Sequence, residues 1–329
     1  MRAIGLKAFG GPQALELIDV AVPEPGPGDV LVEVAFAGIN FVDIYMRRGE
    51  YAKGAHAPTL PRILGREGAG KVSKLGPGVT DLKVGDRVAW CISEASYAEY
   101  AVVPAWRLVP VPATVPLDIA CALQLQGATA HYLSTAAFPL KAGDVALVHS
   151  GAGGVGQILI QLAKALGANV IATVGSDAKA SIAKGRGADH VVVTAKEDFA
   201  IKVSEVTSGA GCNVVYDAVG KDTFVKSVAS CRRRGLVALY GAASGSVDSI
   251  DPLTLAEAGS VFFTRPHLVD YMQDSTEIRS RANDLFTLLG DGRLKVTIDR
   301  VFPLAQAGEA HAALESRTTT GKLLLKVIA

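Results

Sequence analysis

Gly151-Ala152-Gly153-Gly154-Val155-Gly156 forms a G-x-G-x-x-G string. Glycines at this spacing let a backbone bend sharply and approach a pyrophosphate. A helix starting inside the string would aim unpaired N–H groups and its positive dipole end at that phosphate. The string alone says little in a chain with 35 glycines, so its flanks decide the reading. The apolar run Val145-Ala146-Leu147-Val148-His149 precedes it. Val155, Ile158, Leu159, Leu162, Ala163 and Leu166 follow at helical spacing, with Gln157, Gln161 and Lys164 on the other face and Gly167 as terminator. Strand, glycine loop and helix together predict a dinucleotide-binding unit.

The next strand ends at Val174, which cannot bind a ribose hydroxyl. Gly175-Ser176-Asp177-Ala178-Lys179 follow. Ser176 and Lys179 offer a small hydroxyl and a cation to a 2′-phosphate, which favours NADPH. Asp177 stands 21 residues past Gly156 and could instead accept a ribose 2′-OH, as in an NADH site, unless Ser176 or Asp177 serves to cap the next helix.

Metal and thiol chemistry find no support in the spacings. Cys91, Cys121, Cys212 and Cys231 lie far apart without a C-x-x-C pair and read as buried free thiols. His56, His131, His149, His190, His267 and His311 form no ligand pattern. Arg232-Arg233-Arg234 reads as a solvated face before a turn.

These residues need a scaffold. The chain has 329 residues, enough for about two domains, and 49% of them are apolar. The charges, 33 basic against 32 acidic, give +1, which excludes broad electrostatic capture of nucleic acid or an anionic membrane. No signal peptide and no apolar run of membrane-spanning length is visible, so a cytoplasmic protein is expected. The first ~125 residues read as short strands parted by Pro and Gly turns, suggesting a barrel-like module. From Gln126 strands alternate with helices, through strands near 170–174, 191–193, 214–217, 236–240 and 261–264, which implies a parallel sheet covered on both faces. The tail from ~267, with helices at 278–289 and 304–315 and strands at 298–302 and 322–327, is expected to return to the first module.

The chain resembles the medium-chain dehydrogenase/reductase superfamily and, within it, the zinc-free quinone oxidoreductases related to zeta-crystallin. The resemblance is carried by Gly38-Ile39-Asn40-Phe41-Val42-Asp43, Gly65-Arg66-Glu67-Gly68-Ala69-Gly70, Gly85-Asp86-Arg87-Val88, Gly127-Ala128-Thr129, the stretch from Gly143 through the glycine loop to Lys164, and Glu315-Ser316-Arg317 with Gly321-Lys322. Zinc-binding relatives place Cys and His where this chain has Asn40 and Arg66, and their four-cysteine lobe is missing. The resemblance implies an α/β fold: a Rossmann doubly wound parallel sheet over residues 127–266, and a chaperonin-10-like β-barrel catalytic domain from 1–126 completed by 267–329. The active site is expected in the cleft between them.

The resemblance also implies roles. Asn40 and Phe41 would lie near the nicotinamide, although Asn40 could simply form the turn after its strand. Tyr45 would line the quinone pocket and could give it a proton, or could be an ordinary amphipathic residue; Tyr51 is a weaker candidate for the same wall. Thr129, with Tyr132 on the same helix face, would adjoin the nicotinamide ribose. Ala152, Gly153, Gly154 and Val155 would hold the pyrophosphate, and Gly175, Ser176, Lys179 and Thr194 the adenosine end; close relatives carry Tyr at the position of Thr194. Tyr240, Gly241 and Ala242 end a strand where ligands bind, while Phe263, Thr264, Arg265 and Arg317 match positions holding the nicotinamide amide and phosphates. The implied activity is hydride transfer from NADPH to a quinone without metal. An enone or 2-alkenal reductase and a non-catalytic NADPH-binding protein stay open. Relatives suggest a homodimer through the edge Ser260-Val261-Phe262-Phe263-Thr264, where two adjacent phenylalanines would otherwise invite aggregation.

Overall fold

The computed structural model describes residues 1–50 and 59–328; the candidate Tyr51 lies outside the described residues. The chain divides into two compact units. One comprises Met1–Leu125, Met272–Phe286 and Val296–Ala329, the other Gln126–Tyr271 and Thr287–Lys295.

The second unit holds a six-stranded parallel sheet. Its spatial order is His190–Val193, Asn169–Val174, Val145–Val148, Cys212–Asp217, Cys231–Leu239 and Phe262–Thr264. The order runs outward in both directions from Val145–Val148, so the crevice for a ligand opens at the C-terminal end of that strand, where the glycine loop begins. Leu147, Ile171, Val192, Val215 and Val237 are fully buried, packed with Phe199 and Val203 of helix Phe199–Val206 and Phe224 and Val228 of helix Phe224–Ala229. Each such side chain contributes about 1.5–3 kcal/mol by leaving water. Continuous apolar strands are what a sheet buried on two faces requires.

Two expectations need correction here. Gln157 sits on the polar side of helix Gly154–Ala165 by period, yet it is buried. Its amide donates to the Ala152 carbonyl at 2.8 Å and its oxygen accepts from Arg186 Nε at 2.9 Å, so burial leaves neither end unpaired. The arginine run, expected as a solvated face before a turn, lies within the strand Cys231–Leu239. An irregularity in pairing between Cys212 and Val214 and a left-handed Arg234 (φ 54°) bend the strand there, and Arg233 and Arg234 remain exposed.

The first unit is mostly antiparallel sheet. Leu15–Asp19, Arg2–Leu6 and Arg62–Ile63 form a small sheet. The larger one has the order Ile298–Pro303, Lys322–Lys326, Asp29–Ile39, Glu67–Leu75, Arg87–Cys91 and Val109–Pro110, with Tyr100–Pro104 also on Asp29–Ile39. The strand Lys322–Lys326 thus runs antiparallel to Asp29–Ile39, with Leu323 opposite Ile39 and Leu324 opposite Gly38. Trp90, Tyr97, Ile4 and Leu108 fill the core between these sheets.

Candidate active site

The glycine loop has the form that a phosphate site needs. Helix Gly154–Ala165 starts behind an N-cap, Gly153, that has no side chain to satisfy its first-turn amides. The glycines are required by space. A Cβ on Gly156 would stand 2.3 Å from the Ser150 carbonyl oxygen, and one on Gly151 2.9 Å from the Ala172 methyl. The loop is therefore closed tightly on Ser150 and against the neighbouring strand Asn169–Val174, while Gly153, Gly154 and Val155 keep partial exposure. These residues fit a dinucleotide pyrophosphate.

Ser176, Lys179 and Thr194 gather at the ends of the two neighbouring strands. Ser176 caps helix Asp177–Gly185, accepting the Lys179 amide at 3.4 Å. Gly175 has open space where a Cβ would stand. The Thr194 hydroxyl is spent on its own framework, donating to the Val174 carbonyl at 3.2 Å. Asp177 is paired: Lys196 Nζ lies 2.8 and 2.7 Å from its two carboxylate oxygens. Lys196 escaped the sequence reading because it falls two residues past Thr194, outside every motif.

Thr129 and Tyr132 lie on helix Leu117–Tyr132, both buried; the Tyr132 ring stacks on Tyr271 with centroids 4.2 Å apart. Tyr240, Gly241 and Ala242 follow the strand Cys231–Leu239. Gly241 packs so closely on Ala218 that a Cβ would come within 2.4 Å of its carbonyl oxygen. Phe263 meets Phe224 edge to face at 5.4 Å, Thr264 ends the last strand, and Arg265 is exposed. In the same unit His149, Ser227 and Asp217 imitate a hydrolytic triad. Ser227 stands between the other two, donating to Asp217 Oδ2 at 2.7 Å, with His149 Nε2 at 3.0 Å. All three are fully buried, so the serine faces no substrate.

In the first unit Asn40 is the N-cap of helix Phe41–Arg48, directly after the strand Asp29–Ile39. It is only 4% exposed. Its Oδ1 accepts from Lys322 Nζ at 2.7 Å and its Nδ2 donates to Glu67 Oε2 at 2.8 Å. Lys322 and Glu67 are also in contact with each other at 2.5 Å, and both side chains are fully buried. Glu67 Oε1 accepts the Leu125 amide at 2.6 Å. Register explains the meeting: Leu323 pairs with Ile39, so Lys322 falls beside Asn40. Gly38 makes room, because a Cβ there would stand 2.0 Å from Glu67 Oε2. The motifs named Glu67 and Lys322 but assigned neither of them this work.

Asp43, one turn on, accepts the Asn40 amide at 2.9 Å and the Tyr97 hydroxyl at 3.3 Å on Oδ2. Its Oδ1 is buried without a partner among the described residues. Burial pushes this carboxyl up to about 7 against the pull of the Asn40 amide and of Lys322 and Arg66. Tyr45 points its ring near Phe41, with centroids 6.1 Å apart, and is half-buried. Arg66 makes no hydrogen bond or ion pair among the described residues, and its Nε is buried. Arg317 is exposed, with a left-handed backbone (φ 57°). Among the described residues no three His, Cys, Asp or Glu side chains gather as metal ligands would, and no helix is long and apolar enough to cross a membrane.

Residues 26–113 match the family model described as alcohol dehydrogenase GroES-like domain, and residues 154–282 that described as zinc-binding dehydrogenase. The chain is 40% identical to the quinone oxidoreductase of Pseudomonas aeruginosa, over 98% of this chain and 99% of that protein. It is also 40% identical to a 2-haloacrylate reductase from a Burkholderia species, covering 96% of each. The crystal structure of Escherichia coli quinone oxidoreductase complexed with NADPH superposes with a TM-score of 0.96 at 38% identity, over 99% of this chain and 100% of that one.

Proposed function

The chain belongs to the quinone oxidoreductase family of the medium-chain dehydrogenase/reductase superfamily, and from that premise we propose that it is an NADPH-dependent quinone reductase. The observation that carries this reading is the likeness over 98% of the chain to a quinone oxidoreductase, in a fold whose uncapped glycine-loop helix fits a pyrophosphate.

NADPH, when bound, supplies a hydride from its nicotinamide. The second unit binds it: the first-turn amides behind Gly153 take the pyrophosphate, and Ser176 and Lys179 take the 2′-phosphate. We assign the catalytic work to Asn40, Tyr45 and Thr129. Asn40, clamped by Lys322 and Glu67, is rigid enough to orient the reacting ring, and Thr129 supports the ribose. Tyr45 offers a phenol that can give a proton to the quinone oxygen, in competition with solvent. A quinone needs little more, because the ring that accepts the hydride becomes aromatic and its charge rests on a phenol-like oxygen. A steady-state assay with NADPH and a benzoquinone, a phenanthrenequinone and a 2-alkenal tests the reading. Quinone turnover is expected to dominate; no turnover with any quinone would remove it.

A second reading, reduction of an activated alkene, draws on the 40% identity to the 2-haloacrylate reductase. It wins if the alkenal outpaces both quinones.

We also assign the chain to the cytoplasm as a homodimer joined through the edge strand Phe262–Thr264. Phe262 is 63% exposed there, and the outer edge of that strand has no partner in the sheet among the described residues. Light scattering should then give twice the chain mass of 34.1 kDa, and a single-chain mass would exclude the dimer.

A further inference from the structure

Building on the NADPH reading, we propose that Lys196 is the second cation of the 2′-phosphate subsite and that Asp177 is the residue that positions it. Asp177 opens helix Asp177–Gly185 next to Ser176 and two residues from Lys179. Left alone, a carboxylate there would repel a phosphate dianion and invite the bare 2′-OH of NADH. It is not left alone. Both of its oxygens are taken by Lys196 Nζ, at 2.8 and 2.7 Å.

The backbone brings the pair together. Val193 lies opposite Val174 in the parallel pairing of their strands, and the Thr194 amide donates to the Val174 carbonyl at 2.9 Å. The turn that follows is closed by the Val193 carbonyl, which accepts the amides of Lys196 at 2.8 Å and Glu197 at 3.0 Å. Lys196 is thereby curled back over the segment 175–177, at the same C-terminal sheet end as Ser176 and Lys179. Thr194 cannot serve the phosphate in its place, since its hydroxyl is committed to Val174.

Exposure tells how the pair would respond to ligand. The side chains of Lys196 and Asp177 are 60% and 72% exposed, so the ion pair between them is weak and its lysine is easily shared. An ammonium has three donors. It can keep one on Asp177 and turn others to a more highly charged phosphate. Asp177 then aims the lysine and is itself neutralised by it.

The test uses the full chain and two probes, 2′,5′-ADP and 5′-AMP, which differ only in the 2′-phosphate, with binding measured by calorimetry. Lys196→Ala should weaken 2′,5′-ADP by about tenfold or more, the scale of one lost charge-assisted hydrogen bond, and leave 5′-AMP within about twofold. Lys196→Arg should keep the preference. Asp177→Ala combined with Lys196→Ala should recover part of the loss, because the repelling carboxylate is gone. A Lys196→Ala protein that keeps the full preference for 2′,5′-ADP, or that loses both probes equally, would overturn the proposal. A parent protein that binds the two probes equally would instead remove the NADPH reading, and this proposal with it.

Discussion

Arg47 Nη1 lies 3.2 Å from His311 Nδ1, across 264 residues of sequence, and this contact sets the direction of a buried chain of hydrogen bonds. A guanidinium can only donate, so Nδ1 is the bare nitrogen and Nε2 carries the proton. Nε2 then donates to the Tyr97 oxygen at 3.1 Å, and the Tyr97 hydroxyl donates to Asp43 at 3.3 Å. Burial, with Arg47 beside it, pushes the His311 imidazole down to about 3, so it stays neutral. Every donor in the chain points toward Asp43, which in turn accepts the amide at the start of the helix that carries Tyr45.

Asp43 should make stability depend on pH. Its carboxyl is raised from 3.8 to about 7 by burial, so the folded state holds the proton more tightly than the unfolded state. The stabilisation from this group is complete below the unfolded value and is lost as pH rises through about 7. Urea unfolding should show Asp43→Asn gaining on the parent protein by on the order of 4 kcal/mol between about pH 4 and 8. Parallel stability curves for the two proteins would refute it.

Lys322→Met should cost about 3–5 kcal/mol, because it strands the Glu67 carboxylate in the core with only the Asn40 and Leu125 donors. Replacing both members, Glu67→Leu with Lys322→Met, should cost less than the single change, since no charge is left behind. A double variant less stable than Lys322→Met would count against this account of the pair.

Gly156→Ala should weaken cofactor binding without unfolding the sheet. The new methyl meets a backbone oxygen at 2.3 Å, so the loop must open and its amides lose their aim. Fluorescence titration with NADPH should show affinity down by more than about tenfold, the scale of one lost charge-assisted hydrogen bond. Unchanged affinity would show that the loop tolerates the shift.

All four thiols should resist modification. Cys91, Cys121, Cys212 and Cys231 are buried, and burial raises each of them, Cys231 to about 12. A thiol-reactive dye should label none in the native protein and all in denaturant. Fast labelling of any one would place it at the surface.

Much of the cofactor half was legible in sequence, because a glycine loop, an amphipathic helix and apolar parallel strands are local patterns. Helix Gly154–Ala165 and the strands around it appear close to where periodicity puts them. What was illegible depends on distance or compensation. Gln157 looks solvated until its two buried partners are known. Lys322 and Glu67 are 255 residues apart, and only the pairing register reveals that they touch. Lys196 becomes visible only when a turn folds it onto Asp177.

The strand Lys322–Lys326 sits inside its sheet, between Ile298–Pro303 and Asp29–Ile39. During synthesis the Phe36–Ile39 end of its partner strand must therefore wait while some 282 further residues are made before its neighbour arrives, although Asp29–Glu33 on the same edge is already paired with Tyr100–Pro104. Over that interval an unpaired row of backbone donors and acceptors faces the cell, with the Glu67 carboxylate lacking its lysine. The nucleotide-binding sheet is drawn from a nearly continuous stretch and faces no such delay. Newborn chains stalled or truncated before Lys322 would thus carry one finished half and one sticky half, a natural target for chaperones.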